Sequence, residues 1–314
     1  MVDQIVEHSR ETIRKGSKSF AAAARLFKAD TRAAVYMLYS WCRYCDDLID
    51  GQEMGFGHEE ISPQEACSRL ELLREQTTRA LAGDPVEHPA FDGLQRVASR
   101  YRIPDRYPFE LIDGFAMDVQ GYEYRTLEDT LLYCYHVAGV VGVMMAYVMG
   151  VKEPDVLSRA ADLGIAFQLT NISRDVMDDA VNGRVYLPES WLREAGVEPS
   201  QIALPEHRDA VFSVIERLLA VAERYYASAR EGVRALGFQA GWAVSSASGI
   251  YRDIGSIVLE RGSKAWDRRA VVSSGRKLFW ALRGGIRALA AVSLDRRRET
   301  PPRSPDLWRK SDFA

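Results

Sequence analysis

Gln168-Leu-Thr-Asn171-Ile-Ser-Arg174-Asp175-Val-Met-Asp178-Asp179 is the stretch that decides the fold. A helix turns about 100° per residue, so offsets of 0, 3, 7 and 11 share a face. Gln168, Asn171, Asp175 and Asp179 stand at those offsets, with Arg174 and Asp178 at the flanks of the stripe. A second segment answers it: Arg43-Tyr-Cys-Asp46-Asp47-Leu-Ile-Asp50. There Asp46 and Asp50 lie together, Arg43 falls on the same stripe, and Asp47 points to one side. Carboxylates in an otherwise apolar helix are costly unless something positive neutralises them. A divalent metal is the natural candidate, and hard cations such as Mg²⁺ usually hold a substrate's phosphates rather than sit in an all-protein cage. Aspartate is a short, hard ligand, Asn and Gln add neutral oxygens, and arginine meets phosphate as a bidentate fork. Two such helices face to face would grip a diphosphate from both sides.

Helical periodicity extends outward from these segments. Residues 35–49, 63–81, 127–149, 157–179, 210–236 and 239–262 read as helices, and β-like alternation is nearly absent. Gly51, Gly83-Asp-Pro85, Pro104, Gly150, Gly183, Pro188 and Pro199 punctuate them as in a helical bundle. No solenoid repeat and no linker precede about residue 294. The expectation is one all-α domain over 1–295 and an irregular tail over 296–314, which carries an Arg run, Pro301-Pro302 and Pro305.

With 314 residues, 47% of them apolar, the chain can bury a sizeable core. Its net charge of −3 argues against a nucleic-acid partner. Cys42, Cys45, Cys67 and Cys134 make no secreted-type framework, so a reducing cytoplasm is expected. Cys42 and Cys45 form a C-x-x-C with no second pair for zinc, which leaves packing. A di-iron bundle would need Glu-x-x-His, and the chain has none. The N-terminus lacks a signal-peptide pattern, and the longest apolar run, 137–151, is short for a membrane span. Gly139 and Gly142 inside that run cost about 1 kcal/mol each relative to alanine. Room for a long ligand and close helix packing both justify that cost.

Four motifs carry a resemblance: Gly16-Ser-Lys-Ser-Phe20, Trp41-Cys-Arg-Tyr-Cys-Asp-Asp-Leu-Ile-Asp50, Tyr133-Cys-Tyr-His-Val-Ala-Gly-Val-Val-Gly142, and Gln168 to Asp179 continuing through Asn182-Gly-Arg-Val-Tyr-Leu-Pro188. In this order they resemble the squalene/phytoene synthase family of head-to-head prenyl transferases, most of all its bacterial phytoene synthases. The resemblance implies a single-domain, isoprenoid-synthase-type helical bundle around a central cavity. It implies Mg²⁺, with Mn²⁺ as the alternative, held by Asp46, Asp50, Asn171, Asp175 and Asp179. Ser17, Lys18 and Ser19 match an early phosphate-contacting segment, and Arg43 and Arg174 match arginines that neutralise diphosphate. Tyr135 and Tyr186 match tyrosines near the reacting carbons, Gln168 a cavity-lining residue, and Tyr251 with Arg269 a pair that closes the diphosphate site. Arg268 stays open as the alternative to Arg269, and His136 is expected to turn away as a structural residue.

The implied activity is condensation of two geranylgeranyl diphosphates, through a cyclopropyl diphosphate, to phytoene for carotenoid synthesis, without NADPH. Product hand-over to a phytoene desaturase is the implied partnership. The alternatives are a squalene or dehydrosqualene synthase acting on farnesyl diphosphate, a class I terpene cyclase, and a non-catalytic assembly factor on the same fold. Residues 276–292 add a basic amphipathic pattern: Leu278, Phe279, Leu282, Ile286 and Leu289 with Arg276, Lys277, Arg283 and Arg287. Such a helix either lies on an anionic membrane surface or packs as the last helix of the bundle.

Overall fold

A computed structural model describes residues 3–51, 61–293 and 300–310, apart from the side chain of Ser19. Among these residues there are thirteen α-helices and no strand. They are α1 (Gln4–Gly16), α2 (Lys18–Ala24), α3 (Ala29–Asp50), α4 (Pro63–Ala82), α5 (Pro89–Tyr101), α6 (Arg106–Val119) and α7 (Leu127–Cys134). A five-residue π-turn (Tyr135–Gly139) follows, then α8 (Val140–Val148), α9 (Pro154–Val181), α10 (Glu189–Glu194), α11 (Arg208–Gly232), α12 (Phe238–Arg261) and α13 (Ser274–Ser293).

Local chemistry sets many of the boundaries. Ser62 caps α4 by accepting from the Glu65 amide, and Pro63 supplies a pre-set first-turn φ. Thr126 and Asp129 form a reciprocal capping box at the start of α7. Helix α3 stops at Gly51, which adopts a left-handed φ of 61°. The core between the helices is filled by Leu38, Trp41, Leu73, Phe91, Leu94, Leu111, Ile112 and Met144, all fully buried. Burying each such side chain contributes roughly 1.5–3 kcal/mol.

The expected single helix over 127–149 is interrupted. At the π-turn the Val140 amide donates to the Tyr135 carbonyl, an i to i−5 bond that inserts one extra residue. The cause is tertiary. Gly142 and Gly164 bring this segment backbone-to-backbone against α9: a Cβ at Gly142 would lie 2.2 Å from the Ala160 carbonyl oxygen, and one at Gly164 2.1 Å from that of Ala138. Close helix packing therefore accounts for Gly142. The same segment bears on the membrane reading. The 22-residue stretch Leu127–Val148 holds an 18-residue window with a mean hydropathy of 1.7, enough by length and composition to cross a membrane. Of that window 61% is buried in the bundle, as in a core helix.

Helix α9 is the longest described, at 28 residues, and packs on α8, α11, α12 and the π-turn. Residues 300–310 run as an irregular strap back over this bundle. Arg303 forms a buried ion pair with Asp162 of α9 (2.7 Å), and Arg159 of α9 donates to the Pro301 carbonyl.

Candidate active site between two acidic helices

The first acidic segment forms the last two turns of α3. Asp50 is gripped by Arg184 at 2.6 Å. That arginine arrives through the turn after α9. Gly183 takes a φ of 75°, and the Arg184 amide closes onto the Asp179 carbonyl at 2.9 Å. One tight turn thus ties the second acidic helix to the first. Burial in the cleft and then the neighbouring Asp50 carboxylate push Asp46 up to about 7. Its side chain is still 41% exposed, so water in the cleft offsets part of the burial and leaves the crowding by Asp50 a larger share. Arg43 departs from its expected place on the Asp46/Asp50 stripe. Its long side chain folds back one turn, donating to Asp47 at 2.6 Å and pairing with Asp46 at 3.1 Å. It neutralises the protein's own carboxylates rather than pointing at Asp50.

On α9, Asp175 lies between two arginines. Arg174 clamps it through two parallel bonds from one guanidinium edge, and Arg269 reaches it at 3.1 Å. The neighbouring Arg268 uses its carbonyl to accept from Arg261, so the geometry favours Arg269. Burial and the Asp175 charge push Asp179 up to about 7. Gln168 accepts from the Asn171 amide at 3.2 Å, which leaves the buried Asn171 Oδ1 without a partner. Asp178 stands aside, its carbonyl accepting from Asn182.

These residues fit a hard cation. The donors are carboxylate and amide oxygens, two of the carboxylates are raised by like charge, and one buried oxygen is orphaned. Among the described residues no three Asp, Glu, His or Cys side chains converge as a ready-made ion cage. Such a donor set needs phosphate oxygens to complete it.

The structure separates the two candidate tyrosines. Tyr186 donates to Asp118 at 3.1 Å and stacks on Tyr133, with ring centres 4.6 Å apart. Tyr133 donates to the other oxygen of Asp118 at 3.0 Å. Burial is the main reason Asp118 rises to about 6, opposed by Arg184 and by the two phenols. Tyr135, expected near the reacting carbons, instead points into the core and donates to Glu110 at 2.6 Å. Two residues of helix carry Tyr135 away from Tyr133's face. His136 is buried, its Nδ1 donating to the Glu110 carbonyl at 2.7 Å, a structural role. A cleft of about 740 Å³ opens beside Asp118, Arg184 and Tyr186.

Tyr251 of α12 is buried beside Ser17, Arg174, Asp175 and Arg269 and stacks on Phe167, with ring centres 4.2 Å apart. Ser17 caps α2, accepting from the Phe20 amide at 3.2 Å, and Lys18 is exposed one residue on. The Ser19 side chain lies outside the described residues. The motif reading missed Tyr133, Asp118 and Arg184. Tyr133 and Arg184 lie inside quoted motifs, but the face each presents is set by the π-turn and by the Gly183 turn. Asp118 had one signal, an acid closing the last turn of α6 after the apolar Phe115-Ala-Met. Cys45 is buried and Cys42 half-buried, both free thiols, with burial pushing Cys42 up to about 12.

Comparison with known proteins places the chain in a family. The family model for squalene/phytoene synthase matches residues 13–276. The chain is 46% identical over 306 residues to a 15-cis-phytoene synthase of Pantoea ananas, covering 98% of each chain. It is 48% identical over 277 residues to one from Paracoccus sp. (strain N81106 / MBIC 01143), covering 88% of this chain and 90% of that one. The crystal structure of a dehydrosqualene synthase superposes with a TM-score of 0.80 at 27% identity, over 90% of this chain and 95% of that one. A squalene synthase from Alicyclobacillus acidocaldarius, at 22% identity and a TM-score of 0.71, shares the fold. With two acidic helices tied through Arg184 and Asp50, and a family match over most of its length, the chain belongs to the squalene/phytoene synthase family.

Proposed function

We propose that this chain is a phytoene synthase, a prenyl transferase that joins two geranylgeranyl diphosphates head to head in the first committed step of carotenoid synthesis. The carrying observation is near-full-length identity of 46–48% to phytoene synthases, over a site whose acidic helices are both complete. Complete acidic helices also argue against a non-catalytic relative. Asp46, Asp50, Asn171, Asp175 and Asp179 are the residues that would hold Mg²⁺, or Mn²⁺ in its place. Bound there, the metal supplies charge neutralisation for the departing diphosphate.

The protein's own groups do the rest. Arg174, Arg269 and Arg184 stand among these carboxylates, ready to bind phosphate oxygens as the substrate brings its negative charge. Loss of the first diphosphate leaves an allylic cation, which the C2–C3 double bond of the second substrate attacks. Proton loss closes a cyclopropyl diphosphate. Loss of the second diphosphate opens that ring, and rearrangement with loss of a second proton gives the conjugated triene. The Tyr133–Tyr186 stack, its hydroxyls held on Asp118, offers aromatic faces to cations. The proton acceptor is a leaving diphosphate, a tyrosine or a bound water. Buried packing around the tyrosines keeps bulk water from quenching the cation as an alcohol. No hydride is consumed, so the reading requires no NADPH.

Purified enzyme given equal geranylgeranyl and farnesyl diphosphate tests the chain length. Phytoene as the dominant hydrocarbon supports the reading, and dominant C30 product would move the chain to the squalene or dehydrosqualene type. The reading extends to location. We place the enzyme in the cytoplasm, touching the membrane peripherally through α13 and passing phytoene to a desaturase there. In α13, Leu278, Phe279, Leu282, Ile286 and Leu289 are 52–71% exposed, beside Lys277, Arg283 and Arg287. Anionic liposomes should sediment the protein at low salt, and Ile286→Asp should release it. Equal sedimentation of wild type and variant would refute the α13 contact.

A further inference from the structure

The strap of residues 300–310 reaches α6 and the π-turn. Lys310 pairs with Glu110 of α6 at 2.8 Å, and the other oxygen of that carboxylate accepts from Tyr135 at 2.6 Å. Trp308 packs on the same tyrosine, with ring centres 5.8 Å apart, and its backbone amide donates to Tyr225 at 3.1 Å. Glu110 also holds His136 through its carbonyl. One residue of α6 thus fixes the first two residues of the π-turn.

Two turns further along α6, Asp118 holds Tyr133, the penultimate residue of α7. Helix α6 therefore grips the α7–π-turn unit at two points. A carboxylate as buried as that of Glu110, whose side chain is 11% exposed, needs a cation. Arg106, one turn before it, is engaged with the Tyr107 hydroxyl at 3.0 Å. The ion-pair partner of Glu110 comes instead from the far end of the chain.

We propose that Lys310 is a positioning residue for the reaction: the strap delivers its ammonium to Glu110, and the paired carboxylate holds the π-turn in the rotation that presents Tyr133 to Asp118. The strap is on this view part of the working enzyme. The kinetic consequence rests on the phytoene synthase reading; the structural consequence does not. Losing Lys310 leaves the buried Glu110 with the Tyr135 hydroxyl but without its ion pair, and its relief is a shift of the π-turn that misplaces Tyr133. Misplacement by a fraction of an ångström lowers turnover more than ground-state binding.

The test uses full-length Lys310→Met, Lys310→Arg and the double variant Lys310→Met with Glu110→Gln. For Lys310→Met, kcat is expected to fall about tenfold or more while KM for geranylgeranyl diphosphate stays within about threefold. Lys310→Arg and the neutral double variant should each recover most of that loss, which a merely destabilised protein would not show. Amide exchange read in parallel should quicken in Lys310→Met at residues 133–140. Wild-type kcat with unchanged exchange there, or a lowered melting temperature with kcat intact below it, overturns the proposal. The exchange measurement needs no substrate, so a wild type that makes no phytoene would refute the function while Lys310 is still decided.

Discussion

Asp46 and Asp175 stand on opposite helices, each leaning on arginine, and on the proposed reading they serve one ligand. Replacing either by alanine should lower turnover about a hundredfold or more with the helical CD spectrum retained. Full activity in either variant would refute the metal and diphosphate assignment. Asp118 gives a second residue-scale outcome, with a sign that can be worked out. Its folded-state value of about 6 lies above the unfolded value of about 3.9. The folded protein therefore binds this proton more tightly, and the associated stability is present at acid pH and lost as pH rises from about 4 to about 6. The loss is at most about 3 kcal/mol. Urea melts of wild type and Asp118→Asn should diverge in the variant's favour between pH 5 and pH 8, and a constant difference would contradict the burial argument. At this scale helical phase was enough to bring out Asp46, Asp50, Asp175 and Asp179, because a stripe is a property of one helix. The choice of Tyr133 over Tyr135 was not legible, because it depends on which of them α6 receives and on the extra residue of the π-turn. Nor was Arg43's turn onto Asp47, a matter of where a long side chain finds its nearest charge.

Among elements, the seam between α9 and the α7–α8 segment is the tightest constraint. Gly142→Ala would set a methyl against the Ala160 carbonyl and Gly164→Ala one against the Ala138 carbonyl, both backbone atoms that cannot step aside. Each should destabilise by about 1–3 kcal/mol, read as a fall in the urea midpoint. Unchanged midpoints would mean the seam is looser than drawn. The long helices were legible because their apolar period runs for five turns or more. Helices α5 and α6 were passed over, being 13 and 14 residues long and set between breakers. Their start signals were present in Pro89 and Asp105.

For the whole molecule, the strap joins residues far apart in sequence. Arg303 meets Asp162 where that carboxylate is completely buried, and Ser228 also donates to it. Arg303→Ala should cost about 3–5 kcal/mol, because it leaves an uncompensated buried charge. Calorimetry showing no loss would contradict the docked strap. An Arg- and Pro-rich composition reads as an irregular tail, and its described residues, 300–310, form no helix; nothing local announces that their side chains find partners on α6 and α9. The all-α class, by contrast, follows from periodicity alone. The central claim is that two acidic helices in this bundle join two C20 diphosphates without a reductant. Purified wild-type protein with geranylgeranyl diphosphate and Mg²⁺, and no NADPH, tests it by identification of the hydrocarbon formed. Phytoene is the expected product, and the absence of any C40 hydrocarbon would contradict the claim.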